Sequence, residues 1–523
     1  MGELKADLER VGFELIETHI SWVFLGDSEV FKVKRPVNFG FLDFTTAGAR
    51  HEACQAEVDL NRRLAPDVYL GVVPITVDTS GVHAVDGNGP TVDWAVRMRR
   101  LRVEDRADER LRSKTLGPAE VDALAAKIAR FHNRARCDAE TSRHGAVDSI
   151  RRNVEENFEQ TRDSITAYLT LEQAREIEAW QLATLGDEAR FDARVAAGRV
   201  RDGHGDLRLE HVYFEPEGAI SIIDCIEFNE RFRYGDVCAD VAFLSMDLGW
   251  QGRTDLAERF LASYARETGD YELYSVVDFY ESYRAFVRGK IASFLADDTA
   301  ASERARARAR QEARRYFMLS LAYERPPLVR PRVVAVGGMI ASGKSHTAAV
   351  VGEILAAPVI GSDRTRKTLM GRAPADSLAS DAWSGAYTPD VTAAVYAELG
   401  RLGEVVLGSG RPIVIDASFR TAELRSVARA LAERFAVPFS FIECTAPREV
   451  MLRRLRAREA VDAHESDARA ALLDPFEASY EAPQLDRSEH LAIDTSLPPE
   501  ENRQRLIEAL QALGRTATTG TGE

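Results

Sequence analysis

Lysine is nearly absent from this chain: of 68 basic residues only eight are lysine. A GC-rich genome favouring arginine codons accounts for the bias most simply, so a lysine kept in that background points to ammonium chemistry. Five of the eight (Lys32, Lys34, Lys290, Lys344 and Lys367) fall in or beside the motifs below. Cysteine is also scarce. The five, Cys54, Cys137, Cys225, Cys238 and Cys444, are odd in number and never spaced CxxC, which excludes a disulfide framework and a zinc knuckle and suits a reducing compartment. No apolar run exceeds strand length, residues 333–336 being typical, so no membrane span is expected. The opening MGELKADLERVGFELIE has no apolar core, and Ala6 stands where myristoylation needs Ser or Thr. A cytoplasmic protein is expected. The formal charge of −15 disfavours bulk binding to nucleic acid or to an anionic membrane, and leaves room only for a local basic groove.

What is present is ordinary globular composition, 45% apolar and 29% charged, over 523 residues. That length predicts roughly three folding units. Residues 20–100 read as a small β-rich unit. ISWVFLG and EVFKVKRPV flank a turn at Gly26-Asp27-Ser28, a helix is expected over 47–64, and two more strands near GVVPITVD and TVDWAVRMRRL. From 118 to 196 the pattern is helical, and helices resume from 255 to about 323 after the loop-and-strand stretch RDGHGDLRLEHVYFEPEGAISIIDCIEF. Three prolines in ERPPLVRP break the helix, so a joint is expected at 326–331. Beyond it RVVAVGG, PVIGSD, PIVIDAS, PFSFIECT and HLAID alternate with amphipathic helices, which predicts βα units and a parallel sheet. GRTATTGTGE (514–523) reads as a disordered tail.

GMIASGKS, Gly338 to Ser345, is a complete GxxxxGK[ST] directly after a strand and opening a helix. Gly338, Met339, Ile340, Ala341, Ser342 and Gly343 form the loop whose amides cradle phosphates. Lys344 neutralises the β/γ-phosphates, and the Ser345 hydroxyl ligates Mg²⁺. After the second strand, Asp363 is placed to take an acceptor hydroxyl's proton and Arg366 to hold the acceptor or the γ-phosphate; a helix N-cap at Ser362 or Asp363 is the alternative. Asp416, closing the third strand, is a candidate Mg²⁺ carboxylate. Arg454 and Arg458, four apart, suit a lid over phosphates or a solvated arginine face. These residues resemble the small P-loop kinases (polynucleotide 5′-kinase, zeta toxins, chloramphenicol phosphotransferase) over roughly residues 332–513. The resemblance implies phosphoryl transfer from ATP to a hydroxyl, with Asp363 as base and Arg366, Arg454 and Arg458 as clamps.

HGDLRLEHVYF followed by ISIIDCIEF fits the HxDxxxxN catalytic loop and the later metal-binding Asp of kinases: His204, Asp206 as base and Asp224 as Mg²⁺ ligand. Lys32 and Lys34, two apart on a strand, share one face, and either can pair with phosphates and with Glu57 on the next helix. This arrangement is similar to the aminoglycoside phosphotransferase/choline kinase class over about residues 15–300. The joined pair resembles bacterial two-domain proteins that fuse a phosphotransferase-family module to a P-loop ATPase module. One departure is plain: where that class has its metal-binding Asn, this chain has His211, and hard cations prefer oxygen to nitrogen. The helix carrying Arg284, Arg288 and Lys290 reads as ordinary core packing.

The expected architecture is therefore α/β and α+β multidomain. A two-lobed protein-kinase-like module spans 1–325, with its N-lobe over about 1–97 and its C-lobe over 98–325. The 326–331 joint follows, then a three-layer P-loop domain with a parallel sheet over 332–513 and the tail. The expected function is an ATP- and Mg²⁺-dependent phosphotransferase acting on a hydroxyl of a small molecule, without membrane or nucleic-acid partners. Two alternatives stand: a nucleotide-controlled regulatory protein with a degenerate kinase-like sensor, and a polynucleotide 5′-hydroxyl kinase.

Overall fold

β-branched alternation in the first hundred residues becomes, in the computed structural model, a six-stranded antiparallel sheet of order β1-β2-β3-β6-β4-β5. Its strands are β1 (Glu14–Glu17), β2 (Ser21–Leu25), β3 (Glu29–Lys34), β4 (Tyr69–Val77), β5 (His83–Val85) and β6 (Thr91–Arg99). The structure describes residues 2–18, 20–38, 42–299, 301–321, 328–372, 376, 378, 383–459 and 468–516. Phe31 and Val33 of β3 join one core with Leu4, Leu8, Trp22 and Phe24, while Val30 joins the other with Cys54, Val58, Val96 and Met98. Strand alternation puts Lys32 and Lys34 on this second side, against helix Ala47–Asn61. The Thr46 hydroxyl caps that helix by accepting from the Ala49 N–H at 3.1 Å. It stops three residues short of the expected 64.

A helical lobe follows. Pro118 opens helix Pro118–Arg134, whose 3.6-residue stripe (Val121, Leu124, Ala125, Ile128) is buried as the periodicity requires. Two antiparallel ribbons, β7 (Val200–Asp202) with β10 (Tyr234–Asp236) and β8 (Val212–Phe214) with β9 (Ile220–Ile222), interrupt the helices and bracket residues 203–211. Helices Val237–Trp250, Val277–Asp297 and Glu303–Leu321 complete the lobe.

Beyond the joint, all strand pairs are parallel. β11 (Val333–Gly338), β12 (Val359–Gly361), β13 (Ile413–Asp416), β14 (Phe439–Thr445) and β15 (His490–Asp494) lie in the order β12-β13-β11-β14-β15. Central β11 is buried at every residue, as a strand covered on both faces must be. Val334 and Val336 pack with Ala348, Val351 and Leu506 of two flanking helices, and helix Ala422–Arg434 also packs on β11. The strand order reverses at β11, which makes the crevice at its carboxyl end the natural ligand position.

The chain divides into two units differently from the expected contiguous modules. One holds Met1–Arg253 and Phe279–Tyr323; the other holds Glu324–Glu523 together with Thr254–Asp278. The segment 254–278, read from sequence as part of the first module, is thus a strap built into the P-loop unit. Arg411 fixes it: the buried guanidinium donates to Glu258 at 2.7 Å and to Asp278 at 3.0 Å, and lies 5.4 Å from the Tyr274 ring centroid. The Tyr271 hydroxyl donates to the Val359 carbonyl at 2.6 Å. Of the Pro-rich joint, 326–327 lie outside the described residues, and 328–331 carry neither helix nor strand. Residues 514–516, expected in the tail, end helix Pro499–Thr516; 517–523 lie outside the described residues.

Breaking a buried ion pair on one side costs about 3–5 kcal/mol, whereas replacing both partners by apolar groups costs far less. Arg411→Leu in the full chain is therefore expected to speed amide hydrogen exchange in β11 and β13 by the equivalent of about 3 kcal/mol. Arg411→Leu combined with Glu258→Leu should recover most of that loss. Equal exchange in parent and single variant would refute the role of the pair.

Candidate functional site

Two places in the fold gather the predicted residues. In the P-loop unit, the turn after β11 makes the phosphate loop possible only with glycine at two positions. Gly338 has φ 131°, and an added Cβ would meet the Cys444 carbonyl oxygen at 2.3 Å; Gly343 has φ 93° and lies 3.0 Å, measured from the same ideal Cβ, from Thr495. Ala341 takes φ 57°, a left-handed strain stored at the loop. Helix Lys344–Leu355 starts at Gly343 with its first amides directed at the loop, as an anion site requires.

Lys344 folds back and donates to the Met339 carbonyl at 2.8 Å. Burial holds its ammonium below the usual lysine range, against the pull of Asp416 and Asp363. Lys344, Ser345, Ile340, Ala341, Asp363, Arg366, Asp416 and Arg458 line one cavity of about 500 Å³. Three successive βα turns, after β11, β12 and β13, therefore converge there. Gly361 is the N-cap of helix Ser362–Leu369, so Ser362 and Asp363 sit inside the first turn and the capping alternative is not realised. Arg366 is buried, donates to the Ala386 carbonyl at 2.7 Å and lies 4.5 Å from the Tyr387 ring centroid.

Arg454 and Arg458 part company. Arg454 donates to the Ala341 carbonyl at 3.1 Å and the Thr495 carbonyl at 2.7 Å, pinning the phosphate loop to the turn after β15. It lines a second, adjoining cavity of about 370 Å³, which Arg458 also borders. Several wall residues gave no sequence signal at all: Arg266 and Tyr271 of the strap, Trp383, Tyr387 and Arg420. The donor set of Ser345 hydroxyl and Asp416 carboxylate is all oxygen and fits Mg²⁺.

In the first unit, Lys32 donates to Glu57 at 2.8 Å and to Asp224 at 2.6 Å. Lys34 is fully buried and pairs with Glu57 and Glu227, so only Lys32 borders the kinase-like cleft. Burial alone would lower the Lys32 ammonium, but Asp224 and Glu57 hold it well above the usual range. Asp224 takes φ 66°, with its N–H given to the Tyr69 hydroxyl at 3.2 Å. Asp240, which sequence reasoning missed, organises the catalytic-loop backbone by accepting from the His204 N–H at 2.6 Å and the Gly205 N–H at 2.9 Å.

The candidate base is not free. Arg208 donates to both Asp206 oxygens, at 3.0 and 3.2 Å, and also pairs with Glu210. Although burial raises the Asp206 carboxyl, Arg208 and His211 more than offset it and hold it well below the carboxylate range. His211 Nδ1 lies 2.8 Å from the Asp206 carbonyl, which leaves Nε2 toward Asp224 at 3.6 Å. With one Asp224 oxygen taken by Lys32 and nitrogen rather than oxygen at His211, this donor set fits Mg²⁺ poorly. Among the described residues no helix is long and apolar enough to cross a membrane.

Residues 35–280 match the phosphotransferase enzyme family and residues 333–483 match an AAA domain family. Uncharacterized proteins of Mycobacterium tuberculosis and Mycobacterium bovis are each 33% identical over 485 residues, covering 92% of this chain and 92% of theirs. Among solved structures, a choline/ethanolamine kinase family protein from Mesorhizobium loti aligns over 62% of this chain and 96% of its own (13% identity, TM-score 0.34). A gluconokinase from Sinorhizobium meliloti aligns over 37% of this chain and 99% of its own (20% identity, TM-score 0.29).

His204 carries a pH dependence. Its Nδ1 accepts the Asp206 N–H at 3.2 Å, so Nε2 carries the proton and donates to the Ile223 carbonyl at 3.0 Å. Burial pushes its pKa down to about 4, despite the nearby Asp240. The unfolded chain, with His near 6.5, binds the extra proton first as pH falls. Stability is therefore intact above about pH 6.5 and is lost toward pH 4, on the order of 3 kcal/mol in total. Urea unfolding followed by tryptophan fluorescence in a Trp383→Phe background reports this unit, which holds the other four, Trp22, Trp94, Trp180 and Trp250. Its midpoint should fall between pH 7 and 5 in the parent and fall less in His204→Asn; equal slopes would refute the assignment.

Proposed function

The chain belongs to the same family as the mycobacterial proteins it matches and joins a phosphotransferase-family module to a P-loop kinase module, and from that premise we propose that its P-loop unit transfers the γ-phosphate of ATP to a hydroxyl of a small molecule. The observation that carries this reading is the convergence of Lys344, Ser345, Asp363 and Asp416 on one cavity. At about 500 Å³ the cavity has a size usual for small-molecule sites. Loop amides and Lys344 hold the phosphates. Ser345 and Asp416 would hold Mg²⁺, which would supply charge neutralisation at the phosphates. Asp363 takes the proton as the acceptor oxygen bonds to the γ-phosphorus and the bond from that phosphorus to the β,γ-bridging oxygen breaks, ADP leaving with the electron pair. Arg366 and Arg458 offset charge on the transferring group. All five cysteines are free thiols, in keeping with work in the cytoplasm.

A specific observation favours a different task for the first unit. With Arg208 clamping Asp206 and Lys32 bonded to Asp224, this site holds its charges paired internally, which suits a nucleotide-responsive regulatory module better than a transfer site.

Two variants of the full chain test the kinase reading. Lys344→Ala should depress transfer from γ-labelled ATP by several orders of magnitude. Asp363→Asn should lose about a hundredfold to ten-thousandfold in turnover while calorimetry shows parental ATP affinity. Parental transfer by Lys344→Ala would sink the assignment. If nucleotide affinity collapsed with Asp363→Asn, this carboxylate would be a metal ligand and the acceptor site would lie elsewhere.

A further inference from the structure

Helix Glu303–Leu321 of the first unit is basic in a chain that is acidic overall. Six of its nineteen residues are arginine, against 68 lysines and arginines among 523, and its own acids are Glu303 and Glu312. Codon bias decides arginine over lysine, but it does not decide where basic residues fall.

The fold sorts these residues by face. Ala309, Ala313, Tyr316, Phe317 and Ser320 form the buried stripe. Arg304, Arg308, Gln311 and Arg315 are exposed and recur at i, i+4, i+7 and i+11, which is the opposite face. At the helical rise per residue, this outward row runs about 16 Å. Arginines four apart on one face repel unless an anion lies against them.

The nearby acids serve this row little. Glu303 is shared by Arg306 and Arg310, which lie on a flank. Asp297 of the preceding helix acts with Arg310 on the Tyr168 hydroxyl, and so belongs to that flank as well. Glu312 meets Arg308 at 3.0 Å, but the Arg308 side chain is 82% exposed and the pair is worth little. Arg315 is held instead by an aromatic face: its guanidinium carbon lies 4.1 Å from the Trp250 ring centroid, and that ring stacks on Tyr316 at 5.0 Å. Stacking orients a guanidinium without cancelling its charge, and leaves its N–H edge able to fork onto an oxyanion.

The geometry also selects among large anions. A membrane takes up a basic helix by its apolar face, and here that face is already buried in the lobe. A duplex spreads its charge over a broad surface, which the rest of a chain of formal charge −15 repels. A single strand needs only a narrow row of forked donors set along a line. For a chain with five free thiols, suited to a reducing cytoplasm, the abundant single strand is RNA.

We propose that the outward row of Arg304, Arg308 and Arg315 is a docking surface for the phosphate backbone of single-stranded RNA. The full chain is titrated against fluorescein-labelled oligouridylate and followed by anisotropy at several salt concentrations. Affinity should fall with salt at a log–log slope of about 0.7 for each phosphate held. Arg304→Gln combined with Arg308→Gln should weaken binding at least about tenfold and lower that slope by about 1.4. Arg134→Gln combined with Arg152→Gln removes the same charge from exposed positions on other helices of this unit, and should bind as the parent does. No binding of oligouridylate at low salt, or parental binding by the Arg304/Arg308 variant, overturns the proposal. Equal weakening by the two double variants also overturns it, since diffuse charge alone gives that result. Polyglutamate of matched charge bound as tightly as oligouridylate overturns it in favour of an acidic protein segment. Retention on phosphatidylglycerol vesicles without RNA binding overturns it in favour of a membrane.

Discussion

Charge taken out of water has to be balanced where it is buried, and the two units of this chain meet that constraint in opposite ways. In the first, Lys32 and Lys34 sit among Glu57, Asp224 and Glu227, and each ammonium touches two carboxylates. Two ammonium groups thus face three carboxylates. In the P-loop unit, Lys344 has a carbonyl as its hydrogen-bond partner, and the described wall around it includes five arginines. The same physical rule therefore yields a lysine pushed up in one unit and a lysine pushed down in the other. One site pairs its lysines with carboxylates; the other sets its loop lysine against a backbone carbonyl.

That difference explains which motifs were legible. GxxxxGK[ST] is a backbone motif, and its glycines are dictated by a Cβ collision with Cys444 and a left-handed turn, so sequence alone announces it. The central strand β11 was equally readable, because a strand covered on both faces must be continuously apolar. Asp206 and Asp224 were found by spacing. Their neutralisation by Arg208 and Lys32 was not, because a salt bridge two residues away looks the same in sequence as a solvated arginine, and the Lys32 partner is 192 residues distant.

The strap was misassigned for a related reason. Helices were expected from 255 onward, and helix Thr254–Thr268 buries Leu256, Ala257, Phe260 and Leu261. Periodicity reports that a face is covered but never by what. Glu258, within the same buried stretch, marks the difference only once Arg411, 153 residues later, is seen to meet it. That pairing, with the Tyr271 bond to Val359, places Arg266 and Tyr271 in the cavity wall.

The match to the phosphotransferase family runs from 35 to 280 and so includes the strap, although the strap packs with the P-loop unit. Similarity follows the chain, whereas folding follows burial. A cut at the Pro-rich joint would leave Arg411 without Glu258 and Asp278, and would remove both Arg266 and Tyr271 from the cavity wall. A fragment beginning at 326 would then hold a buried guanidinium stripped of its carboxylates, the circumstance in which ion pairs matter most to stability. The joint is a boundary in composition, but the functional P-loop unit begins at Thr254. Its dependence on sequence from the first half is what makes the two modules one protein.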